Sequence, residues 1–277
     1  MTPPSILPPQ RIASLSTEAV DVLYRLGVED RVVGVSGFTH YPRRARDTKP
    51  KISGFKTGKL DKILSVQPDL VIGYSHIQRR LLDEVEQAGV ATRCYHHRSL
   101  AGIHDMVLDL GELVQAPTQA QALSLHLQAI QNQVAEAATR LHFKPRVYFE
   151  EWHTPLTCGI QWVSELIALA GGTDVFAHIA PLDPFSARTV TAAQVLRAEP
   201  QLIMGAWCGQ RFDADAVLAR EGFAALNATL LDIPSSDILA PGPAAIERGL
   251  VHVFDAICRA AGTTPEALGF TRPTLGD

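Results

Sequence analysis

Short apolar runs alternate with amphipathic segments along this chain, and one combination of the two occurs twice. Residues Leu60–Ser75 read LDKILSVQPDLVIGYS and residues Ala192–Cys208 read AAQVLRAEPQLIMGAWC. Each copy predicts a short amphipathic helix, a turn at Pro68 or Pro200, and an apolar run ending on an aromatic, Tyr74 or Trp207. Proline stops a helix because it cannot continue the hydrogen-bond ladder. A continuous apolar run between turn signals is the pattern of a strand buried on both faces, hence of a parallel sheet covered by helices. Two such units about 130 residues apart predict two similar α/β lobes. Each presents an aromatic at the C-terminal end of a strand, where open α/β sheets bind ligands.

The remaining pattern fills in both lobes. In the first, Ile12–Leu15, Val32–Ser36, Leu70–Ser75 and Ala91–Tyr95 predict strands. Ser16 or Thr17 caps a helix that stops at Gly27, and Ile77–Ala88 forms a second helix stopped by Gly89. From Leu123 the apolar positions fall at Leu127, Ile130, Val134, Ala137 and Leu141, the stripe of one helix with a single buried face. Running over 118–142, that helix would be about 37 Å long at 1.5 Å per residue, a rod between lobes. Beyond it, Arg146–Trp152, Leu202–Trp207 and Thr229–Ile233 predict strands, and Trp162–Ala170, Val190–Ala198 and Pro243–Ala260 predict helices. The expected organisation is an N-terminal α/β lobe over 11–116, a connecting helix over 117–143 and a C-terminal α/β lobe over 144–262. The fold class is therefore α/β: two Rossmann-like lobes with parallel sheets, joined by one long rigid helix and leaving an interlobe cleft.

Composition narrows the partners. With 277 residues, 46% hydrophobic and 19% charged, the chain is of ordinary globular make-up. A net charge of −4 leaves no basic footprint for nucleic acid. No apolar run reaches the roughly 20 residues of a transmembrane segment. The opening MTPPSILPPQ lacks the features of a secretory signal, so the expected location is cytoplasmic, or periplasmic if a signal segment has been removed. Cys94, Cys158, Cys208 and Cys258 form no CxxC pair and are expected as free thiols. No GxGxxG or GxxxxGK[ST] motif indicates a nucleotide cradle. Glu150 and Glu151 are consecutive on a strand, so they are expected to face opposite ways and not to act together.

Several motifs, in order, carry a resemblance: RIASLSTEAVDVLYRLG, THYPRRAR, KPKISGF, QPDLVIGYS, EEWHTPLTCGIQWVSELIALAGG, AWCGQRF and LAPGPAAIERGL. Together they resemble the helical-backbone (class III) substrate-binding proteins of ABC importers, most closely the cobalamin-binding branch. The resemblance implies a non-enzymatic protein holding a corrinoid such as cobalamin between its lobes. Residue by residue it implies that Tyr41, Phe55, Tyr74, His76, Trp152, His153, Trp207 and Cys208 bind the ligand. Flat aromatic faces bury apolar area at little entropic cost, and their polar tips suit the amides that fringe a corrin. Phe185 would add a further face. His153, His76 or His40 would be an axial ligand to the cobalt of a corrinoid or the iron of a haem. The resemblance also implies one acid per lobe for docking on an importer. Asp61 matches the first, but the second falls on Ala193, which makes docking uncertain.

Two alternatives stay open at this stage. The same fold serves haem, siderophore or metal-ion binding. Cys158, Cys208 and His153 could instead form a thiol-dependent active site, since a Cys–His pair activates a nucleophile and soft ligands hold zinc, copper or cobalt.

Overall fold

The computed structural model describes residues 7–54 and 57–273. In the N-terminal lobe, strands β1 (Ile12–Ser14), β2 (Val32–Ser36), β3 (Lys51–Ser53), β4 (Leu70–Tyr74) and β5 (Ala91–Tyr95) form one wholly parallel sheet in the order β3-β2-β1-β4-β5. Four helices accompany them: α1 (Thr17–Arg25), α2 (Arg43–Thr48), α3 (Leu60–Leu64) and α4 (Arg79–Gln87). Ser16 caps α1 by accepting a hydrogen bond from the Ala19 amide. Gly27, at φ 77°, lets the chain leave the helix in a conformation that L side chains disfavour. The core under this sheet is aliphatic, with Leu15, Ile52, Ile63, Val71, Leu82 and Val85 buried together.

Helices α5 (Leu100–Leu113) and α6 (Pro117–Ala138) follow. The chain divides into two compact units. One is drawn from the chain up to His97 and from Ala101–His126, the other from Arg98–Leu100 and from Leu127 onward, so α6 contributes to both. Leu127, Ile130, Val134 and Ala137 are all buried along one stripe of α6. The helix ends at Ala138, earlier than the stripe suggested, because the chain closes into a turn in which the Thr139 and Arg140 amides reach back only three residues.

In the C-terminal unit a long strand β6 (Arg146–His153) pairs antiparallel with β7 (Leu156–Cys158) through its second half and parallel with β8 (Thr173–Asp174) through its first. Strands β9 (Leu202–Gly205) and β10 (Thr229–Asp232) extend the sheet in parallel on the other edge of β6. The antiparallel β7 departs from the all-parallel expectation: a tight turn at Thr154-Pro155 sends the chain straight back along β6. Helices α7 (Gln161–Leu169), α8 (Ala192–Ala198), α9 (Ala214–Leu218), α10 (Ser235–Ile238) and α11 (Leu250–Ala260) complete the unit. The predicted closing helix over 243–260 is in fact a π-helical turn at Ala245–Gly249 leading into α11. Trp162 is a core residue whose indole N–H donates to the Ile238 carbonyl at 2.8 Å.

The repeated unit is duplicated down to its hydrogen bonds. Before each proline stands a left-handed residue, Gln67 at φ 48° and Glu199 at φ 44°. Its carbonyl accepts from the Nε of the arginine that opens the neighbouring central strand, Arg11 at 2.7 Å in one lobe and Arg146 at 2.9 Å in the other. After each proline, a side chain returns a bond to that strand's first amide: Asp69 to Arg11 at 3.0 Å, Gln201 to Arg146 at 2.9 Å. The registers agree as well, with Ile12 opposite Leu70 and Val147 opposite Leu202. The helix–proline–strand pattern thus encodes a clamp that sets the register of the binding strand against its neighbour.

Candidate functional site

In a parallel sheet all C-terminal strand ends lie along one edge, so side chains just beyond β2, β4 and β5 share one face of the N-terminal lobe. Tyr41 lies in the loop after β2 and is half-buried; Phe38, earlier in that loop, is 45% exposed. Tyr74 ends β4, half-buried, and its hydroxyl donates to the His97 carbonyl at 2.6 Å. The His97 ring meets Tyr74 edge-on at 5.3 Å between centroids and packs near Tyr95 at 6.3 Å. His76 and His96, both exposed, stand 5.5 Å apart beyond Tyr74 and Tyr95. Phe55 lies outside the described residues. Phe38 and His96 were not among the sequence candidates, although an aromatic and a histidine just beyond predicted strands were the available signals.

The C-terminal lobe builds its face around a buried charge. Glu150, on β6, is 0% exposed. Arg220 donates to both its oxygens, at 2.6 and 2.9 Å. The Trp207 indole N–H adds a bond at 3.0 Å and the Tyr148 hydroxyl one at 3.1 Å. Four donors on one carboxylate satisfy the acceptor sites that burial would otherwise orphan. Burial, reinforced by the adjacent Glu150 charge, holds the Tyr148 hydroxyl's pKa well above its usual range, so it stays a donor. The Arg220 guanidinium also lies over the Phe223 ring at 5.4 Å.

On this support sits a stack of rings. His153 packs against Trp152, at 4.8 Å and tilted by 33°, and against Trp207, at 4.5 Å and tilted by 46°. Its Nδ1 is 2.9 Å from the Thr154 hydroxyl and its Nε2 is 3.3 Å from the Gln210 side-chain oxygen. Trp152 and His153 are half-buried, whereas Trp207 is only 5% exposed. The Trp207 ring is packed in the core of the lobe, donates its N–H to Glu150 and lies against His153. Structure therefore brings Trp152, His153 and Trp207 together, with Cys208 exposed at the following turn.

Glu151 faces a different partner, as its strand position predicts. Arg188, almost fully buried, donates to it at 2.5 Å and to the Cys158 carbonyl. The same guanidinium lies over the exposed Phe185 ring at 5.5 Å, which ties the 182–188 loop to β6 and β7. Neither arginine could be assigned from sequence, since Arg220 lies 70 positions from Glu150 and Arg188 lies 37 from Glu151. Two adjacent acids in an otherwise apolar strand were the signal that buried cations would be needed.

Cys158 is buried, and desolvation pushes its pKa far above the ordinary thiol range. His153 spends both ring nitrogens on Thr154 and Gln210.

With this geometry in view, comparison with known proteins becomes informative. The family model described as periplasmic binding protein matches residues 12–230. The chain belongs to that family. It is 25% identical over 244 residues to the vitamin B12-binding protein of Vibrio campbellii, covering 84% of this chain and 86% of the relative. Among solved structures, a periplasmic solute-binding protein of Staphylococcus epidermidis superposes with a TM-score of 0.77 at 19% identity, covering 90% of this chain and 98% of that one. The periplasmic heme-binding protein of Roseiflexus sp. RS-1 gives 0.74 at 22% identity, covering 91% and 99%. The family match is to binding proteins, and the solved structures show the fold of two α/β lobes. Among the described residues, no helix is long and apolar enough to cross a membrane.

Proposed function

We propose that this protein binds a corrinoid, of the cobalamin type, without transforming it, using the strand-end faces of its two lobes. The observation that carries this reading is the Trp152–His153–Trp207 stack, propped from below by the buried Glu150–Arg220 pair. A half-exposed indole and imidazole held this firmly offer a flat surface at little entropic cost, which suits a broad macrocycle. Tyr74 and Tyr41 supply the corresponding aromatic surface on the other lobe, with His76 at its margin, while Cys208 follows Trp207 in the C-terminal lobe. The vitamin B12-binding relative supports the ligand class. Haem is the second reading, favoured by the exposed histidines beyond β4 and β5 and by the heme-binding neighbour.

Location and partners belong to the same proposal. Asp61 and Ala193 are both exposed in the first turns of the matching helices α3 and α8. Glu199, the acid nearest Ala193 in the following sequence, terminates α8 and lies 3.6 Å from Arg146. With Ala193 in place of the second docking acid, we read this chain as a ligand handler of the cytoplasm that does not stimulate an importer. Fractionation of cells expressing the native gene tests this, and recovery in the periplasm with restored uptake would overturn it.

The ligand itself is tested by titrating the protein with cobalamin, cobinamide, haem and a ferric siderophore, read by tryptophan quenching. Saturable quenching by a corrinoid that is weakened by Trp152→Ala is the expected result. Binding of haem alone selects the second reading, and binding of none of the four refutes both. Loss of a turnover activity on alkylation of Cys208 would restore the thiol enzyme.

A further inference from the structure

The geometry points to a divalent metal site at the C-terminal ends of β4 and β5, with the imidazoles of His76 and His96 as its ligands. The two strands run parallel in register, Tyr74 opposite Tyr95, so the residues just beyond them emerge side by side. The Ser75 amide then donates to the Tyr95 carbonyl at 2.6 Å, carrying the pairing one step past the ladder. Ser75 itself takes φ 63°, which turns the chain abruptly into the short helical turn His76–Gln78. Its hydroxyl accepts from the Ile77 amide at 3.3 Å, fixing the turn that presents His76.

On the neighbouring strand the backbone after Tyr95 is held by the Tyr74 hydroxyl on the His97 carbonyl. Consecutive histidines are thereby sorted. His97 packs inward against Tyr74 and Tyr95, while His96 stays exposed next to His76. The His76 and His96 rings are 5.5 Å apart between centroids, tilted by 68°, with ring nitrogens within 4.8 Å of one another. Two imidazoles on one tetrahedral ion, each with a metal–nitrogen bond of about 2.0–2.1 Å, place their ring centroids roughly 5 Å apart. The pair thus stands close to ligating distance without movement of either strand. Imidazole nitrogens suit zinc, copper and nickel, and two protein ligands leave the remaining positions to water or to an incoming donor.

This site belongs to one lobe and does not depend on the corrinoid reading. The test is calorimetric titration of the untagged full-length protein, free of any corrinoid, with Ni2+, Cu2+ and Zn2+ separately. One saturable site per chain is expected for at least one of the three ions. His76→Ala and His96→Ala should each weaken it at least tenfold, while His104→Ala, remote in sequence from the pair, leaves it unchanged. Circular dichroism of the variants verifies folding. Saturable binding retained in the double variant, or no saturable binding of any of the three ions to the native chain, overturns the assignment. The corrinoid titration, run without added metal, fails or succeeds separately.

Discussion

The two lobes carry the same helix–proline–strand unit and use its end differently. In the N-terminal lobe the strand ends on Tyr74, half-buried, with its hydroxyl on a backbone carbonyl. In the C-terminal lobe the aligned apolar run continues one residue further to Trp207, whose ring is buried and whose N–H is tied to the buried Glu150. One lobe therefore anchors its aromatic to the main chain, and the other to a charged pair. A neutral bond to a carbonyl is worth about 0.5–1.5 kcal/mol net. A desolvated ion pair is poor value as a source of stability but costs several kcal/mol to break from one side. The second lobe's face should accordingly be the stiffer platform, and it should fail abruptly when its cation or its donors are removed.

The largest effect is expected from Arg220→Leu, which leaves the Glu150 carboxylate buried without its cation. A loss of about 3–5 kcal/mol in urea unfolding, seen first in probes of the C-terminal lobe, is expected. A loss below about 1 kcal/mol would mean that the charge is not desolvated as its burial indicates. Trp207→Phe retains most of the ring and removes one donor, so it should cost about 1–3 kcal/mol, the penalty of an unsatisfied buried acceptor. Glu150→Gln made in the same background should recover little, because Arg220 then loses its charge partner; substantial recovery would show that the Glu150–Arg220 charge pair is dispensable. Tyr74→Phe, the corresponding change in the other lobe, should cost about 0.5–1.5 kcal/mol. If it equalled the cost of Trp207→Phe, the contrast between the two anchors would collapse.

The smallest effect is a pH dependence confined to the C-terminal lobe. Burial raises the pKa of Asp174 above its ordinary 3.8, against opposing bonds from Ser164 and the Phe176 amide. A carboxyl with a raised folded-state pKa is favoured by folding in its protonated form. Its ionisation therefore costs stability above that pKa, and the cost disappears as pH falls towards 3.8. Asp174→Asn keeps an acceptor for the Phe176 amide and should stabilise the protein slightly at pH 7. Melting curves should show that advantage shrinking as the pH approaches 4. An advantage that grows on acidification would reverse the sign of the shift.

Thiol labelling sharpens the picture of the same lobe independently. Cys208 is exposed and should react rapidly with an alkylating reagent. Cys158 and Cys258 are buried, the latter with its pKa pushed up to about 12 by desolvation, and should react only on unfolding.

Much of this molecule was determined by the sequence alone. Both lobes, four of the five parallel strands between Ile12 and Tyr95, and the single helix under the stripe from Leu127 to Ala137 follow from periodicity and from proline and glycine stops; the short β3 does not. These are local features, set by interactions a few residues apart. The aromatic positions beyond the strands were legible for a similar reason, since a strand's end is visible in its own apolar run. What the tertiary structure decided is which side chains share an environment. Glu150 meets Arg220 across 70 positions, and no local pattern states the distance. Trp207 was expected as a ligand surface, and only the fold shows that its ring is buried with its N–H donated to Glu150, an acceptor on another strand. His96 and His97 are neighbours of identical chemistry, and only the Tyr74 hydroxyl and the register of β4 against β5 separate one turned inward from one beside His76. Local periodicity specifies elements because backbone hydrogen bonds repeat; it does not specify partners, because the satisfaction of a buried polar group depends on whatever the fold brings next to it.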